Sequence, residues 1–64
     1  MDIKAVKQNL NKLVVYRDKQ DTYKLTACII RKQENKYFYQ VELLDTKHGN
    51  SVMICRLEDI NAVN

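Results

Sequence analysis

Residues 37–45 read Tyr-Phe-Tyr-Gln-Val-Glu-Leu-Leu-Asp and carry the strongest strand signal in the chain. Aromatic and branched side chains at period two are typical of a pleated, half-buried strand. The two predicted faces are Tyr37, Tyr39, Val41 and Leu43 on one side, and Phe38, Gln40, Glu42 and Leu44 on the other. A long apolar run precedes this stretch at 23–32 and a shorter one follows at 51–57. We therefore expect a meander with 37–45 as its central strand.

The composition indicates one small globular domain over residues 1–64. A chain this short buries only about 60% of its unfolded surface, so its core is small. An apolar share of 45% is too high for a disordered chain. The formal charge of +3 and the pI near 9.0 permit a polyanionic partner without requiring one.

The chain before the meander predicts a helix at 2–11 and a first strand at 13–17. Asp2 is placed to cap the helix, because its carboxylate can accept a main-chain N–H of the first turn. Ile3, Val6 and Leu10 form one apolar stripe along this helix. A helix of about ten residues is not stable alone, so the stripe should dock on the sheet.

The remaining breaks in the apolar pattern predict turns. A polar connection covers 18–22, and the break at 33–36 holds Asn35 at a plausible left-handed position. The loop at 46–50 holds the only glycine, Gly49, which suits a positive φ angle. The fourth strand, the helical or 3₁₀ turn and the last strand are expected at 51–55, 56–60 and 61–63.

These elements predict a mainly β fold, a small five-stranded barrel at 13–63 behind an N-terminal helix. Closing the sheet would remove the exposed strand edges that invite aggregation. On the second strand, we assign Tyr23, Leu25, Ala27 and Ile29 to one face. The expected core is Ile3, Val6, Leu10, Leu13, Val15, Leu25, Ala27, Ile29, Tyr39, Val41, Leu43, Val52, Ile54 and Ile60.

The closing segment at 52–60, Val-Met-Ile-Cys-Arg-Leu-Glu-Asp-Ile, carries a family resemblance. A strand that enters Leu-Glu-Asp-Ile and then a short apolar strand resembles the end of Src-homology-3-like barrels, including the Tudor, KOW and Sm-like groups. The resemblance implies five bent strands with a 3₁₀ turn between the last two. The segment at 43–52 is also similar to small proteins of bacterial mobile elements and phages, which implies no activity.

The two cysteines, Cys28 and Cys55, lie far apart in the sequence and belong to no CxxC pair. One histidine cannot complete a Cys-and-His zinc set with them, so we expect no metal. Small half-buried thiols are the expected state, with a disulfide between adjacent strands as the alternative. No leader and no long apolar run is visible, so we expect a cytoplasmic protein with no membrane partner.

Catalysis is not expected from this sequence. Asp45, His48 and Ser51 are the residue types of a triad, but a hairpin loop lacks the rigid pocket that a triad needs. Local hydrogen bonds within the loop are the expected arrangement. No phosphate-binding, zinc-protease or calcium-binding motif is present, so no cofactor is implied.

Two binding functions remain. The first is a protein-interaction module, self-associating as one variant, that uses an apolar patch rimmed by polar groups. Its predicted residues are Phe38, Leu44, Gln40 and Glu42. The alternative is binding of single-stranded nucleic acid, in which cations hold phosphates and aromatic rings stack on bases. Its predicted residues are Arg31, Lys32, Lys36, Arg17, Lys24 and Tyr37.

Overall fold

The structure, a computed structural model, describes residues 1–17 and 21–63 and is mainly β. Its elements in chain order are α1 (Ile3–Gln8), β1 (Leu13–Tyr16), β2 (Thr22–Gln33), β3 (Lys36–Asp45), β4 (Ser51–Arg56), the 3₁₀ turn η1 (Leu57–Asp59) and β5 (Ile60–Ala62). The predicted order of one helix, five strands and a 3₁₀ turn before the last strand is confirmed. Most of the predicted polar connection, at 18–20, lies outside the described residues.

The five strands form one antiparallel sheet in the order β4-β3-β2-β1-β5. β1 lies between β2 and β5, so the short last strand returns to the start of the chain. β4 and β5 are the two margins, and in the described part of the chain they do not pair with each other. The closed barrel expected from the sequence is therefore not observed.

The β2–β3 hairpin is closed by a two-residue turn. Gln33 pairs with Lys36, and Glu34 and Asn35 between them have φ angles of 50° and 63°. Two consecutive positive φ angles define a type I′ turn, whose twist matches that of the flanking strands. The turn predicted at 33–36 is confirmed, although its outer residues belong to the strands.

A β-bulge at Thr26 changes which face each β2 residue occupies. Leu25 pairs with Leu43 whereas Ala27 pairs with Glu42, so Thr26 has no partner in the ladder. The Thr26 hydroxyl donates to a Glu42 carboxylate oxygen at 2.7 Å. Because the extra residue reverses the alternation, the prediction that Ala27 and Ile29 share the face of Leu25 is wrong.

The core lies on one face of the sheet. Its buried residues are Val6, Val14, Leu25, Val41, Leu43, Cys55, Leu57 and Ile60. The pairing register places residues of neighbouring strands on this face: Val14 of β1 lies opposite Tyr23, and Cys55 of β4 lies opposite Val41. Partners directly opposite each other in a ladder share a face.

Five residues predicted for the core are instead exposed: Leu10, Leu13, Tyr39, Val52 and Ile54. In β1 and β4, the predicted phase is wrong by one residue, so Val14 and Cys55 point inward where Leu13 and Ile54 were expected. Tyr39 lies on the predicted face, but the core ends before it.

Helix α1 is shorter than predicted. Its cap is confirmed, because an Asp2 carboxylate oxygen accepts the Ala5 N–H at 2.8 Å. The helix ends at Gln8, and the next residue, Asn9, caps it: the Asn9 side-chain amide donates to the Ala5 carbonyl oxygen. Val6 is buried against the sheet, whereas Leu10 lies beyond the helix and is exposed. Among residues 1–17 and 21–63, no helix has the length and apolar character needed to cross a membrane.

Candidate functional site

The β2–β3 hairpin extends beyond the strands on either side of it. β1 pairs with β2 only at 22–24, and β4 pairs with β3 only at 40–45. Residues 30–39 therefore pair only among themselves in the described sheet, and every one of them is exposed. We call residues 30–39 the ribbon.

One face of the ribbon carries three large exposed side chains. Ile30 lies opposite Tyr39, and Tyr37 follows two residues away on the same face. Their exposed fractions are 64%, 42% and 67%. This face continues the core side of the sheet, because Tyr39 is two residues from the buried Val41. We call Ile30, Tyr37 and Tyr39 the apolar stripe.

The opposite face of the ribbon is mixed in character. Arg31 lies opposite Phe38, and Gln33 lies opposite Lys36. The Arg31 Nε donates to the side-chain oxygen of Gln40, and the side chain of Phe38 is exposed. Of the two cations on this face, Arg31 is therefore already hydrogen-bonded within the chain, and Lys36 stands beside the turn.

The residues predicted for protein binding share one face of β3, as their alternation requires. Phe38 alone belongs to the ribbon; Gln40, Glu42 and Leu44 are half-buried in the sheet. Glu42 accepts the bulge hydroxyl, and Leu44 lies opposite Val52. These four side chains form a row that runs from the ribbon into the sheet, and only its outer end, Phe38, is exposed.

The residues predicted for nucleic-acid binding divide into three places, the third of which holds Arg17. Arg31, Lys32, Lys36 and Tyr37 lie together on the ribbon, where the Lys32 Nζ stands 5.6 Å from the centre of the Tyr37 ring. Lys24 pairs with both Leu13 and Leu44 at the other end of β2. Lys24 and Lys32 are eight residues apart along β2, which corresponds to about 25 Å. Lys24 therefore does not share a surface with the basic residues of the ribbon.

Contacts with Asp59 and Tyr16 hold the Arg17 side chain in place. Its Nε lies 3.5 Å from an Asp59 carboxylate oxygen, and its guanidinium stands 5.1 Å from the centre of the Tyr16 ring. The Arg17 N–H also donates to the Asp59 carbonyl oxygen at 2.6 Å. Tyr16 and Tyr23 pack edge to face beside it, with ring centres 6.2 Å apart. This second basic and aromatic group therefore joins β1 to η1.

A groove of about 500 Å³ lies beside the ribbon where β4 ends. Its lining residues are Gln33, Phe38, Tyr39, Gln40, Arg56, Leu57 and Glu58. β4 pairs with β3 only as far as Arg56 opposite Gln40, after which the chain turns into η1. The groove therefore follows the stretch of β3 that has no neighbour, with an Arg56–Glu58 ion pair of 3.8 Å at its rim.

The loop at 46–50 contains local hydrogen bonds of the kind predicted. The His48 Nδ1 lies 2.8 Å from an Asp45 carboxylate oxygen, and the Lys47 N–H donates to the other oxygen at 3.1 Å. Burial raises the pKa of Asp45, but these two hydrogen bonds outweigh it and hold that pKa below its usual range. The Ser51 hydroxyl donates to the main-chain oxygen of His48, not to its imidazole.

The two cysteines are both free and lie on the core face. Cys28 and Cys55 each lie opposite Val41, on either side of it. Two strand spacings separate their Cα atoms by about 10 Å, whereas a disulfide needs less than about 7 Å. Burial, followed by the nearby Asp59 carboxylate, raises the pKa of the Cys55 thiol. Within the described residues, no group of three or more His, Cys, Asp and Glu side chains could hold a metal ion.

Ile30 and Tyr39 are the surface residues that the sequence analysis missed. Tyr39 was assigned to the core, and Ile30 was assigned to no site. One signal could have found them: the apolar runs at 23–32 and 37–45 are about twice as long as those at 13–17 and 51–55. A hairpin longer than its neighbours must carry its tip beyond them.

Comparisons with protein-family models, with curated proteins and with solved structures give no match to this chain. The resemblances to Src-homology-3-like barrels and to mobile-element proteins therefore stay predictions.

Proposed function

We propose that this protein is a non-catalytic protein-interaction module that binds an extended protein segment along the ribbon. One observation carries the proposal: Ile30, Tyr37 and Tyr39 are exposed together on one face of a hairpin tip. Contiguous exposed apolar side chains rimmed by polar groups are typical of interaction sites. The rim here is polar and charged, with Lys32, Gln33 and Lys36 around the turn.

The main chain of the ribbon supports the same function. On the side away from β3, the part of β2 at 27–33 has no strand beside it in the described residues, and neither does β3 at 36–39 on its own outer side. Unpaired N–H and C=O groups at a strand edge bind an added strand, and pockets beside the edge select its side chains. The groove between β3 and η1 offers such a pocket.

A peptide selection tests this function. A library of random extended peptides is selected on the protein, and the enriched peptides are titrated against Tyr39→Ser and Val52→Ser. Both positions are exposed apolar strand residues, but Val52 lies on β4 and on the opposite face. Loss of affinity with Tyr39→Ser alone would support the ribbon as the binding site. Peptides that bind both variants equally, or no enrichment, would overturn it.

The second candidate function is binding of single-stranded nucleic acid by the ribbon. The observation that favours it is the placement of Arg31, Lys32 and Lys36 beside Tyr37 and Phe38, with Glu34 as the one carboxylate among residues 30–39. Cations beside exposed rings suit phosphates and bases. Against it, Arg31 is hydrogen-bonded to Gln40 and Lys32 already lies over Tyr37.

The dependence of binding affinity on salt concentration distinguishes the two candidate functions. Binding of an oligonucleotide through phosphates weakens steeply as salt rises, because counterions are released. Replacing Lys32 and Lys36 by Ala should then abolish binding, whereas Lys4 and Lys7 replaced by Ala should have little effect, because α1 lies outside the ribbon. No binding at low salt would eliminate this candidate.

We also propose that the sheet belongs to the Src-homology-3-like class of small barrels and acts in the cytoplasm. The class is supported by the position of β1 between β2 and β5 and by η1 before the last strand. A barrel scaffold carries many unrelated functions, so the ribbon and not the fold carries the functional argument.

A further inference from the structure

We infer that the open edge of β2 pairs with the same edge of a second copy of this chain, giving a two-fold symmetric dimer. This inference rests on the proposed function: the extended segment that binds one side of the ribbon is the β2 edge of a second copy. The edge in question is residues 27–33. β1 stops pairing at Lys24, and the Leu25 N–H and carbonyl oxygen are bonded to the main chain of Lys12 and Asn11.

The main-chain groups of this edge face outward at regular positions. Gln33 and Lys36 close a two-residue turn, so they form a hydrogen-bonded pair. Hydrogen-bonded and non-hydrogen-bonded pairs alternate along an antiparallel ladder. Cys28, Ile30 and Lys32 consequently direct their N–H and C=O groups away from β3, toward the open edge. Ile30 is the midpoint of the open stretch.

Antiparallel pairing of two copies about Ile30 uses the full open length. Ile30 lies opposite Ile30 of the second copy, Cys28 opposite its Lys32, Ile29 opposite its Arg31, and Ala27 opposite its Gln33. The outward main-chain groups of Cys28, Ile30 and Lys32 meet one another in this register. No charged residue faces a like charge.

Other registers are less favourable. Moving the two-fold axis toward the turn places Arg31 opposite Arg31, or Lys32 opposite Lys32, and like charges directly opposite destabilise a sheet. Moving it toward the start of β2 drives the turn of the second copy into Asn11 and Lys12, which already occupy the Leu25 edge. A shift of the pairing register by an odd number of residues would place the apolar face of one copy beside the opposite face of the other.

The same register joins the two apolar stripes. Tyr39 and Ile30 of one copy and Ile30 and Tyr39 of the other form one row across four strands, on the face that continues the core. Each turn, which carries Glu34, comes to the end of β2 where the Lys12 main chain meets Leu25, so residues of opposite charge lie at both ends of the contact. One contact thus pairs the free main-chain groups of both copies and brings their Ile30 side chains together as cross-strand neighbours.

Sedimentation mass measured from about 1 µM to about 1 mM protein tests the inference, because weak dimers dissociate in this range. The variant is Ile30→Lys, which places two ammonium groups opposite each other, and the control is Val52→Lys, an exposed strand position on β4. We expect the wild type and Val52→Lys to dimerise, and Ile30→Lys to dimerise about tenfold more weakly or not at all. Thermal melts confirm that both variants fold.

Amide hydrogen exchange at low and high protein concentration locates the contact. The Cys28, Ile30 and Lys32 amides should gain the most protection as the dimer forms, whereas the Ile29 and Arg31 amides already bond to β3. A monomer at every concentration would overturn the second-copy inference, as would protection centred on β4. A monomer that still binds selected peptides through Tyr39 would leave the proposed function standing.

Discussion

Ile30 and Tyr39 lie directly opposite each other on β2 and β3, two residues beyond the buried Val41, and remain 64% and 42% exposed. They belong to the same face as the core but lie past its end. Neither β1 nor β4 reaches them, because these strands are four and six residues long against twelve and ten for β2 and β3. The hairpin therefore presents a core-like face to solvent.

The core assignment predicts different costs for two leucines on strands. Leu43 is fully buried whereas Leu13 is half exposed, at 50%. Leu43→Ala should lower the free energy of unfolding by about 2–4 kcal/mol, because it removes buried apolar contacts and leaves a cavity. Leu13→Ala should cost less than about 1 kcal/mol. Urea unfolding of both variants measures the difference, and equal losses would contradict the observed faces of β1 and β3.

The type I′ turn predicts a stabilising substitution. Glu34 holds a φ angle of 50°, a conformation that most side chains adopt at a cost and that asparagine adopts readily. Glu34→Asn should raise the free energy of unfolding by about 0.5–1 kcal/mol. Gln33→Asn is the matched control, since Gln33 is a strand residue and asparagine is a poor strand former. If the control stabilised equally, the turn would not be the cause.

The Asp45–His48 contact predicts that the free energy of unfolding decreases as the pH falls. The pKa of Asp45 is lower in the folded chain, so the unfolded chain binds this proton more readily. The stabilisation is thus present above the ordinary carboxyl pKa of about 4, and is lost as pH falls through the lower folded value. Asp45→Asn should lower the urea midpoint at pH 7 and flatten its decline in acid.

Glu58→Gln is the control for that measurement, because Glu58 is an exposed carboxylate that forms a long, exposed ion pair of 3.8 Å with Arg56. Its acid profile should match the wild type. If Asp45→Asn and the wild type lost stability in parallel from neutral pH into acid, the loop contact would not contribute as described.

The two cysteines should react with a thiol reagent at different rates in the folded protein. Cys55 is buried and its thiol pKa is raised, so it has little access to the reagent and little thiolate, whereas Cys28 is half-buried. We expect a fast phase that Cys28→Ser removes and a slow phase that remains. Mass spectrometry of the oxidised monomer should find no internal disulfide; a Cys28–Cys55 disulfide would contradict the register around Val41.

The order of the elements could be predicted because turns and apolar runs are local signals. Gly49 has the expected positive φ angle of 72°, and Asp2 caps the helix as expected. The faces of β1 and β4 could not be predicted, because Leu13, Val14 and Val15 offer an apolar residue in either phase. Pairing with Tyr23 and Ala62 decides that Val14 is buried, and these are contacts distant in sequence.

The candidate site was predicted in part for a different reason. Alternation correctly placed Phe38 and Leu44 on the face opposite Val41, but it carries no information on where the core ends. The bulge at Thr26 also gives no signal in the residue pattern, since its neighbours are apolar on both faces. Ile30 and Tyr39 become surface residues only once the lengths of neighbouring strands are compared.

The central claim is that the ribbon acts through apolar side chains and strand edges rather than through its cations. The most direct test is the sedimentation mass of the protein at about 50 mM and about 500 mM salt, with and without a mixed-sequence single-stranded oligonucleotide. We predict a dimer whose population barely changes with salt, that Ile30→Lys disrupts, and that leaves the oligonucleotide free. A monomer that binds the oligonucleotide at low salt and releases it at high salt would contradict the claim.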